Sequence, residues 1–441
     1  MHTLLKTTCE TPLTKENILK LTEKINPVLS DECRRRLRYM HMQSFDWKHG
    51  GLLSPIKFID RDSVEYSLVI AADGDKNEKR MAKLTLDNAI ALIDPVWGGV
   101  YQYSTLSKWD VPHYRKTMAA QAGHLRLYSL AYGHLQSASY LNATKLIQNY
   151  IKNFMTSDKG AFYTGQSGNV KGVDPKKYFS HTTKEREAIG FPEIDKRILT
   201  RENGWMIEAL ATHAEYCNDS KSLIMAINAA DWINKNCRTT EGGYLTNTTT
   251  DRPLYLSDTL GMARAMLQLY RNTFEEKYLK YSCESLDFIN QNFRNNYYGY
   301  YNKIMHVDDN TQPRQIDENI SLTRFANLLA YYSGEEKFNK ISKHGLRYLS
   351  IPEIATARIE EAGILLVDRE IQTPPLTINI NGYKDNKQVR NFLNIARKQK
   401  GWYKLIRLNK SKEISASIEI DGFKSKIVKT SKELNELLRT H

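Results

Sequence analysis

The chain has 441 residues, of which 41% are hydrophobic and 26% are charged, and its formal net charge is +13. This composition is typical of a globular protein long enough for one large core and a smaller satellite domain. No run approaches the roughly 18 apolar residues of a membrane helix, and the N-terminal segment lacks the apolar core of a secretory signal. We therefore predict a cytoplasmic protein without membrane association.

The cysteines and the charge distribution exclude two further classes of function. The five cysteines never occur as CxxC or beside histidines at zinc-finger spacing, so we expect no disulfide framework, no metal and no cofactor. Residues 381–441 contain 15 lysines and arginines against 6 acidic residues, so the rest of the chain is nearly neutral. Lysine-rich surfaces usually serve solubility, and we do not expect a nucleic-acid partner.

Apolar residues recur at helical spacing in several long segments before residue 375, where strand signals are nearly absent. These segments include LTLDNAIALI, MAAQAGHLRLYSLAYGHL, WMIEALATHAEYC, SLIMAINAADWINKNC, TLGMARAMLQLYRNTF and LTRFANLLAYYS. Turns that combine glycine with aromatic residues separate them, namely FDWKHGGLL, DPVWGGVYQY, DKGAFY, TEGGYL and NYYGYY. A repeated turn of this kind indicates one helical hairpin copied along the chain.

About six such hairpins fit the length before residue 373. Six hairpins close naturally into a double ring of helices, so we predict a mainly α fold, an (α/α)6 toroid, over residues 1–372. A linear solenoid of the same hairpins is the alternative, although solenoid repeats are usually shorter and more uniform. We expect the loops at the ends of the inner helices to surround one central cavity.

The pattern changes after TPPL at residues 373–376. Alternating segments such as TINING and SASIEI then enclose a helical segment, VRNFLNIARK. We therefore predict a small, basic α/β domain over residues 373–441.

Four segments carry a resemblance to a known family: FDWKHGGLLSPIKF, DPVWGGVYQYSTLSKWDVPHYRK, EIDKRILTRENGWMIEALA and LYLSDTLGMARAMLQLY. In this order they resemble the helical toroid of the thioredoxin-containing family that includes spermatogenesis-associated protein 20. The resemblance implies a fold shared with six-hairpin glycosidases and sugar epimerases. Family members carry an N-terminal thioredoxin-like domain, whereas this sequence enters the helical pattern early, so we expect that domain to be absent.

The chain departs from the family signature at three charged positions. An arginine, an aspartate and a glutamate of the family are replaced here by Gln102, Leu106 and Arg115. If these positions belong to a catalytic site, that site is degenerate.

Four aromatic residues are candidate platforms for sugar rings, because aromatic faces stack on the apolar faces of pyranoses. They are Trp47, Trp97, Tyr103 and Trp109. The alternative is that each of them packs in the core between helix ends. The signature motifs add Lys116, Lys196 and Asn203 as candidate binding residues, although Asn203 also suits the cap of the following helix.

Three residues are candidates for acid–base catalysis. His113 follows a proline and is predicted to open a helix, whose dipole would keep it neutral and suited to act as a base. A structural histidine is the alternative. Asp195 and Asp258 are the carboxylates retained from the family motifs, and glycoside hydrolysis and epimerisation both need such groups across the sugar.

These features leave three functions open. The first is an enzyme acting on a sugar or glycan, either an isomerase or epimerase or a glycoside hydrolase. The second is a non-catalytic binding protein, a pseudoenzyme that keeps the cavity without its titratable groups. The third is docking of a separate thioredoxin-like protein, since the chain has no CxxC with which to cycle a dithiol itself.

Overall fold

The computed structural model describes residues 28–253, 255–304, 313–358, 361–399 and 403–439. Its helices before residue 373 are α1 (Asp31–Gln43), α2 (Arg61–Ala72), α3 (Lys76–Ala89), α4 (Met118–Leu135), α5 (Ala138–Tyr150), α6 (Pro175–Ser180), α7 (Thr183–Ile189), α8 (Thr200–Cys217), α9 (Ser220–Asn236), α10 (Leu256–Thr273), α11 (Glu276–Asn292), α12 (Ile316–Ser333), α13 (Glu336–Leu349), α14 (Pro352–Ala355) and α15 (Ala362–Gln372). Helices α6, α7 and α14 are short connections, and the remaining helices alternate between an inner and an outer ring.

The inner ring consists of α2, α4, α8, α10, α12 and α15. Each of these helices contacts the next, and α15 contacts α2. Helices α3, α5, α9, α11 and α13 pack behind the inner helix that precedes them, and α1 packs behind α15. The predicted (α/α)6 toroid is therefore confirmed, and the linear solenoid is excluded because the first and last inner helices touch.

The sequence of each helix reflects its layer. Helix α4 is surrounded by neighbours and is apolar or small around most of its circumference, with twelve of its 18 residues buried. Helix α13 lies on the outside, and its buried residues, among them Phe338, Ile341 and Leu349, follow one stripe. This contrast is the expected difference between a buried helix and a surface helix.

All five glycine–aromatic turns connect an outer helix to the following inner helix, so they lie at the same end of the ring. In each turn the residues on either side form an isolated antiparallel bridge: Phe45 with Leu52, Ile93 with Val100, Thr156 with Phe162, Arg238 with Tyr244, and Arg294 with Tyr300. Glycine is required at Gly98, where φ is +74° and a Cβ would lie 2.1 Å from the carbonyl oxygen of Leu146.

Short strands tie the loops together at this same end. They are β1 (Tyr103–Ser104), β2 (Pro112–His113), β3 (Lys116–Thr117), β4 (Gly165–Gln166) and β5 (Ile194–Asp195). Strand β1 pairs with β2, and β4 pairs with both β3 and β5, all antiparallel.

The C-terminal α/β region covers the opposite end of the ring. Its elements are β6 (Leu376–Asn381), α16 (Lys387–Lys398), β7 (Lys404–Asn409), β8 (Ser415–Ile420), β9 (Phe423–Lys424) and α17 (Ser431–Arg439). The sheet order is β7-β6-β8-β9, with β6 and β7 parallel. Arg397 donates to the carbonyl oxygen of Asn272 at 2.8 Å, and Arg407 donates to that of Tyr331 at 2.7 Å. Both acceptors lie near the C-terminal ends of inner helices.

Within the described ranges, no helix is both long enough and apolar enough to cross a membrane.

Candidate functional site

A cavity of about 860 Å³ lies inside the inner ring. Every inner helix contributes to its lining. At the N-terminal ends of these helices the lining includes Phe58 and Tyr255, which are 40% and 42% exposed, so this end is the mouth. At the other end Tyr403 of the C-terminal region lines the cavity, and its hydroxyl accepts from Asn327 and donates to the carbonyl oxygen of Glu370, both at 2.7 Å. Tyr403 therefore forms part of the floor of the cavity.

A belt of charged residues surrounds the middle of the cavity, with one residue from each inner helix. In chain order these residues are Glu65, Arg126, Glu208, Arg264, Arg324 and Glu370. Arg126 binds Glu65 at 2.5 Å and approaches Glu208 at 3.4 Å, and Arg264 binds Glu208 at 2.8 Å. Arg324 binds both Glu65, at 2.7 Å, and Glu370, at 2.6 Å.

The belt keeps its central carboxylate ionised. Burial alone would raise the pKa of Glu65, but Arg126 and Arg324 hold it well below its ordinary value. A buried charge costs free energy unless it is paired, and two guanidinium groups pair with this one. Like charges are neighbours at two places. Arg324 bridges Glu370 and Glu65, whereas Arg264 and Arg324 have no carboxylate of the belt between them, and the cavity there, between α10 and α12, has an apolar wall of Leu260, Leu267, Phe325 and Leu328.

The mouth combines an aromatic ring with two arginines. The guanidinium carbons of Arg201 and Arg61 lie 5.0 Å and 5.8 Å from the ring centroid of Trp205. Trp205 follows Arg201 by one helical turn on α8, and Tyr255 lies just before α10. These residues give the mouth both stacking surface and hydrogen-bond donors.

Carboxyl groups at the mouth hold their protons more tightly than usual. Burial raises the pKa of Glu318 to about 7, and the charges of Asp317 and Asp258 add to the shift. Burial also raises the pKa of Asp258 to about 6 and that of Asp62 above its ordinary value. Glu318 lines the cavity, and its buried Oε2 atom has no hydrogen-bond partner among the described residues.

The tryptophans predicted as platforms lie elsewhere. None of them lines the cavity. Trp97 is 8% exposed and stacks on Phe191, with ring centroids 5.4 Å apart. Trp109 is 5% exposed and donates to the carbonyl oxygen of His49 at 2.7 Å. Trp47 packs edge-on against Phe45. The expected cavity lining by these residues is therefore not observed, because they seal the turns between helices.

Lys116 and Asn203 also hold turns in place. Lys116 is fully buried, and its ammonium group bonds Asp94 at 2.8 Å and the carbonyl oxygen of Gly98 at 2.7 Å. Asn203 accepts from the amide of Phe162 at 2.8 Å and donates to the carbonyl oxygen of that residue at 3.0 Å. Asn203 lies inside the first turn of α8, so it clamps the preceding glycine turn and does not cap the helix.

His113 does not open a helix, contrary to the sequence prediction. It is exposed on β2, and α4 begins only at Met118, so no helix dipole acts on it in the way expected. Its ring stacks on Tyr103 with centroids 4.9 Å apart and an interplanar angle of 10°. Neither residue lines the central cavity.

The two predicted carboxylates have different surroundings. Asp195 is on β5, where hydrogen bonds from Arg197 lower its pKa, and Lys196 beside it is exposed. Asp258 is buried behind the mouth, where it accepts from the Arg201 amide at 3.1 Å and from Thr246 at 2.6 Å. Asp258 does not line the cavity itself, but its neighbour Ser257 does.

The residues that line the cavity are not among the site residues predicted from the sequence. The available signal was polar side chains at helical spacing on otherwise apolar helices: Arg201, Trp205, Glu208 and Thr212 on α8, and Asp317, Glu318, Ser321 and Arg324 on α12. Such a stripe predicts a polar interior surface only after the helix has been assigned to the inner ring.

Comparisons with known proteins agree with this architecture. No family model matches the chain. Over 160 residues it is 27% identical to human spermatogenesis-associated protein 20, a match covering 33% of this chain and 20% of that protein. The chain resembles spermatogenesis-associated protein 20. The resemblance stated from the motifs is thus confirmed over a third of the chain, although the match spans about a fifth of the relative's length.

The solved structures similar to this one include sugar epimerases, isomerases and glycoside hydrolases. Cellobiose 2-epimerase from Bacillus thermoamylovorans has a TM-score of 0.55 at 13% identity, covering 72% of this chain and 86% of that one. D-mannose isomerase has a TM-score of 0.46 at 15% identity, covering 60% of this chain and 68% of that one. The epimerase comparison shows a shared fold.

Proposed function

We propose that the central cavity binds a carbohydrate and that Glu318 transfers a proton to and from it, as in sugar isomerisation or epimerisation. The observation that carries this proposal is the position of Glu318. It lines the cavity near its mouth, with one buried carboxyl oxygen that has no partner among the described residues. A carboxyl oxygen that is buried without a partner departs from the usual pairing of buried polar groups, which marks Glu318 as a candidate functional group.

The protonation behaviour of Glu318 suits this role. A group that removes a proton from a sugar carbon and later returns one to the sugar works best with a pKa near neutrality. Burial raises the pKa of Glu318 to about 7, and the nearby charge of Asp258 contributes. Arg201 bonds Asp258 through its backbone amide and favours the ionised form of Glu318 by its charge. Asp258 is thus proposed as a residue that tunes Glu318.

The rest of the lining suits a sugar. Sugar-binding cavities combine aromatic or apolar surface with a few polar groups of fixed orientation. Trp205 and the apolar wall between α10 and α12 provide the aromatic and apolar surface. Glu208 and Arg264 provide polar groups of fixed orientation, because their ion pair holds both side chains at the cavity wall. The solved cellobiose 2-epimerase with the same fold supports a carbohydrate ligand as part of this proposal.

The substitutions that pointed to a degenerate site do not bear on this cavity. Gln102, Leu106 and Arg115 are outside its lining, and Leu106 is 72% exposed. The loss of charge at these three positions therefore removes no acid–base group from the cavity, and we favour an enzyme over a pseudoenzyme.

The proposal is tested by measuring binding and turnover separately. Wild type and Glu318→Gln are titrated with glucose, mannose and cellobiose by calorimetry, and each mixture is then followed by NMR for a new sugar. We expect Glu318→Gln to bind within a fewfold of wild type but to lose about 10²-fold or more in rate. Asp195→Asn, outside the cavity, is expected to retain the wild-type rate. Absence of binding at millimolar sugar would contradict the proposal.

A further inference from the structure

The two-stranded sheet of β1 and β2, extended by an isolated bridge between Lys57 and Ser104, borders the mouth of the cavity. Lys57 and Ser104 exchange both backbone hydrogen bonds, at 2.9 Å and 2.8 Å, and Ser104 pairs in turn with Pro112. Tyr103 lies opposite His113, and Phe58 and Tyr103 are each adjacent in sequence to a residue of the antiparallel bridge. Side chains alternate between the faces of a sheet, so these three rings share one face.

This face points to solvent. Lys57 and Ser104, on the other face, are buried, whereas Phe58 is 40% exposed, Tyr103 is half-buried and His113 is exposed. We call Phe58, Tyr103 and His113 the aromatic row. Because Phe58 also lines the central cavity, the row begins at the mouth and leads away from it.

The aromatic row is held rigidly from below. The ammonium group of Lys57 bonds Asp46 at 2.7 Å and the carbonyl oxygens of Gly50 and Leu52 at 3.1 Å and 2.7 Å. The rings of Tyr103 and His113 are stacked 4.9 Å apart, which fixes the orientation of the tyrosine. A preorganised aromatic surface loses little conformational entropy when a ligand stacks on it.

We propose that the aromatic row is an outer subsite that binds the second residue of an oligosaccharide while the first residue occupies the cavity. This inference rests on the proposed function and extends it from a carbohydrate to a glycan of at least two residues. Continuity through Phe58 is the argument for this occupant, because a chain leaving the cavity at that side passes onto the rings. Sugars present both apolar faces and hydroxyl groups, which suits Tyr103 and His113 because each offers a ring and a polar atom.

The test compares one-residue and two-residue sugars on the same protein. Wild type, Tyr103→Ala and Tyr103→Phe are titrated with glucose and mannose, and with cellobiose and β-1,4-mannobiose. We expect Tyr103→Ala to weaken disaccharide binding about three- to tenfold, the range of one aromatic contact, while monosaccharide binding changes less than about twofold. Tyr103→Phe keeps the ring and is expected to retain wild-type affinity for the disaccharides.

Leu106→Ala is the control, because Leu106 is 72% exposed on the adjoining loop and is not part of the aromatic row. It is expected to bind all four sugars like wild type, and melting temperatures show that each variant is folded. Equal losses for both sugar classes in Tyr103→Ala, or no loss for either, would overturn the outer subsite and leave the proposed function standing. If wild type binds none of the sugars, both proposals fail.

Discussion

At the residue scale, the carboxyl group of Glu318 is the most informative feature of the cavity. Its environment holds a proton that an ordinary glutamate releases near pH 4.5, since the pKa is raised to about 7. Between these pH values Glu318 is protonated in the folded chain and ionised in the unfolded chain. Linkage therefore requires that the contribution of Glu318 to stability falls as pH rises through this interval.

We expect Glu318→Gln to be more stable than wild type at pH 8, by about 2 kcal/mol, and to show no such gain at pH 4. Glutamine keeps the shape but has no proton to lose. Urea unfolding at a series of pH values measures the difference. Asp195→Asn is the control, and its stability difference from wild type should change with pH in the opposite direction. Arg197 lowers the pKa of Asp195, so ionised Asp195 stabilises the wild type as pH rises. A difference for Glu318→Gln that does not vary with pH would contradict the account.

Single side chains of the charged belt also stabilise the fold, because their ion pairs join helices that are distant in sequence. Glu65 is 1% exposed and is paired with two arginines, so replacing it removes a buried counter-charge from both guanidinium groups. The replacement leaves Arg324 with Glu370 and Arg126 with Glu208. We expect Glu65→Gln to lower the free energy of unfolding by about 3–5 kcal/mol. Lys83→Ala, which breaks an exposed pair with Asp87, is the matched control and should cost less than about 1 kcal/mol. Similar losses in both variants would show that the belt is not a structural element.

At the element scale, the first turn of an inner helix clamps the glycine turn before it. Gln121 bonds both backbone polar groups of Val100 at 2.7 Å, and Asn319 does the same for Tyr300 at 2.8 Å and 3.0 Å. Asn203 occupies the equivalent position on α8. The sequence of a recurring motif does not distinguish a residue that binds a ligand from one that stabilises a turn. For this reason Lys116 and Asn203 were predicted as binding residues.

The clamp predicts the outcome of replacing Asn203. Asn203→Ala leaves the buried amide and carbonyl of Phe162 without partners, so we expect a loss of about 1–3 kcal/mol in stability. Sugar affinity of the folded fraction should be unchanged. Denaturant unfolding together with calorimetry separates these effects. Loss of affinity without loss of stability would restore Asn203 as a binding residue.

At the scale of the whole molecule, the ring was predictable from the sequence because it depends on local patterns. Helical periodicity and the spacing of the glycine turns indicated the hairpins, and their number indicated closure. The cavity lining was not predictable in this way. Arg126 and Glu65 are 61 positions apart, and Arg324 and Glu65 are 259 apart, so only the closed ring brings them together. The tryptophans of the motifs were predicted as sugar platforms because they are large and aromatic, and the same properties suit them to packing in the core.

The C-terminal region is joined to this closed ring more tightly than a separate domain would be. Lys404 is buried, with its ammonium group 5.0 Å from the ring centroid of Tyr216, and Tyr403 forms part of the cavity floor. We expect deletion of residues 373–441 to preserve the helical circular dichroism signal but to lower the melting temperature and weaken sugar binding. Tyr403→Phe should weaken binding less. A truncated chain with unchanged melting and affinity would show that the cavity needs no floor.

The central claim is that the cavity moves protons on a bound sugar through Glu318, and solvent isotope exchange measures this directly. Glucose, mannose and cellobiose are incubated with the protein in deuterium oxide, and NMR records deuterium at C2 of the reducing residue. We predict incorporation for at least one sugar with wild type, and a rate about 10²-fold or more lower with Glu318→Gln. Cleavage of cellobiose without deuterium on carbon, or exchange by Glu318→Gln at the wild-type rate, would contradict the claim.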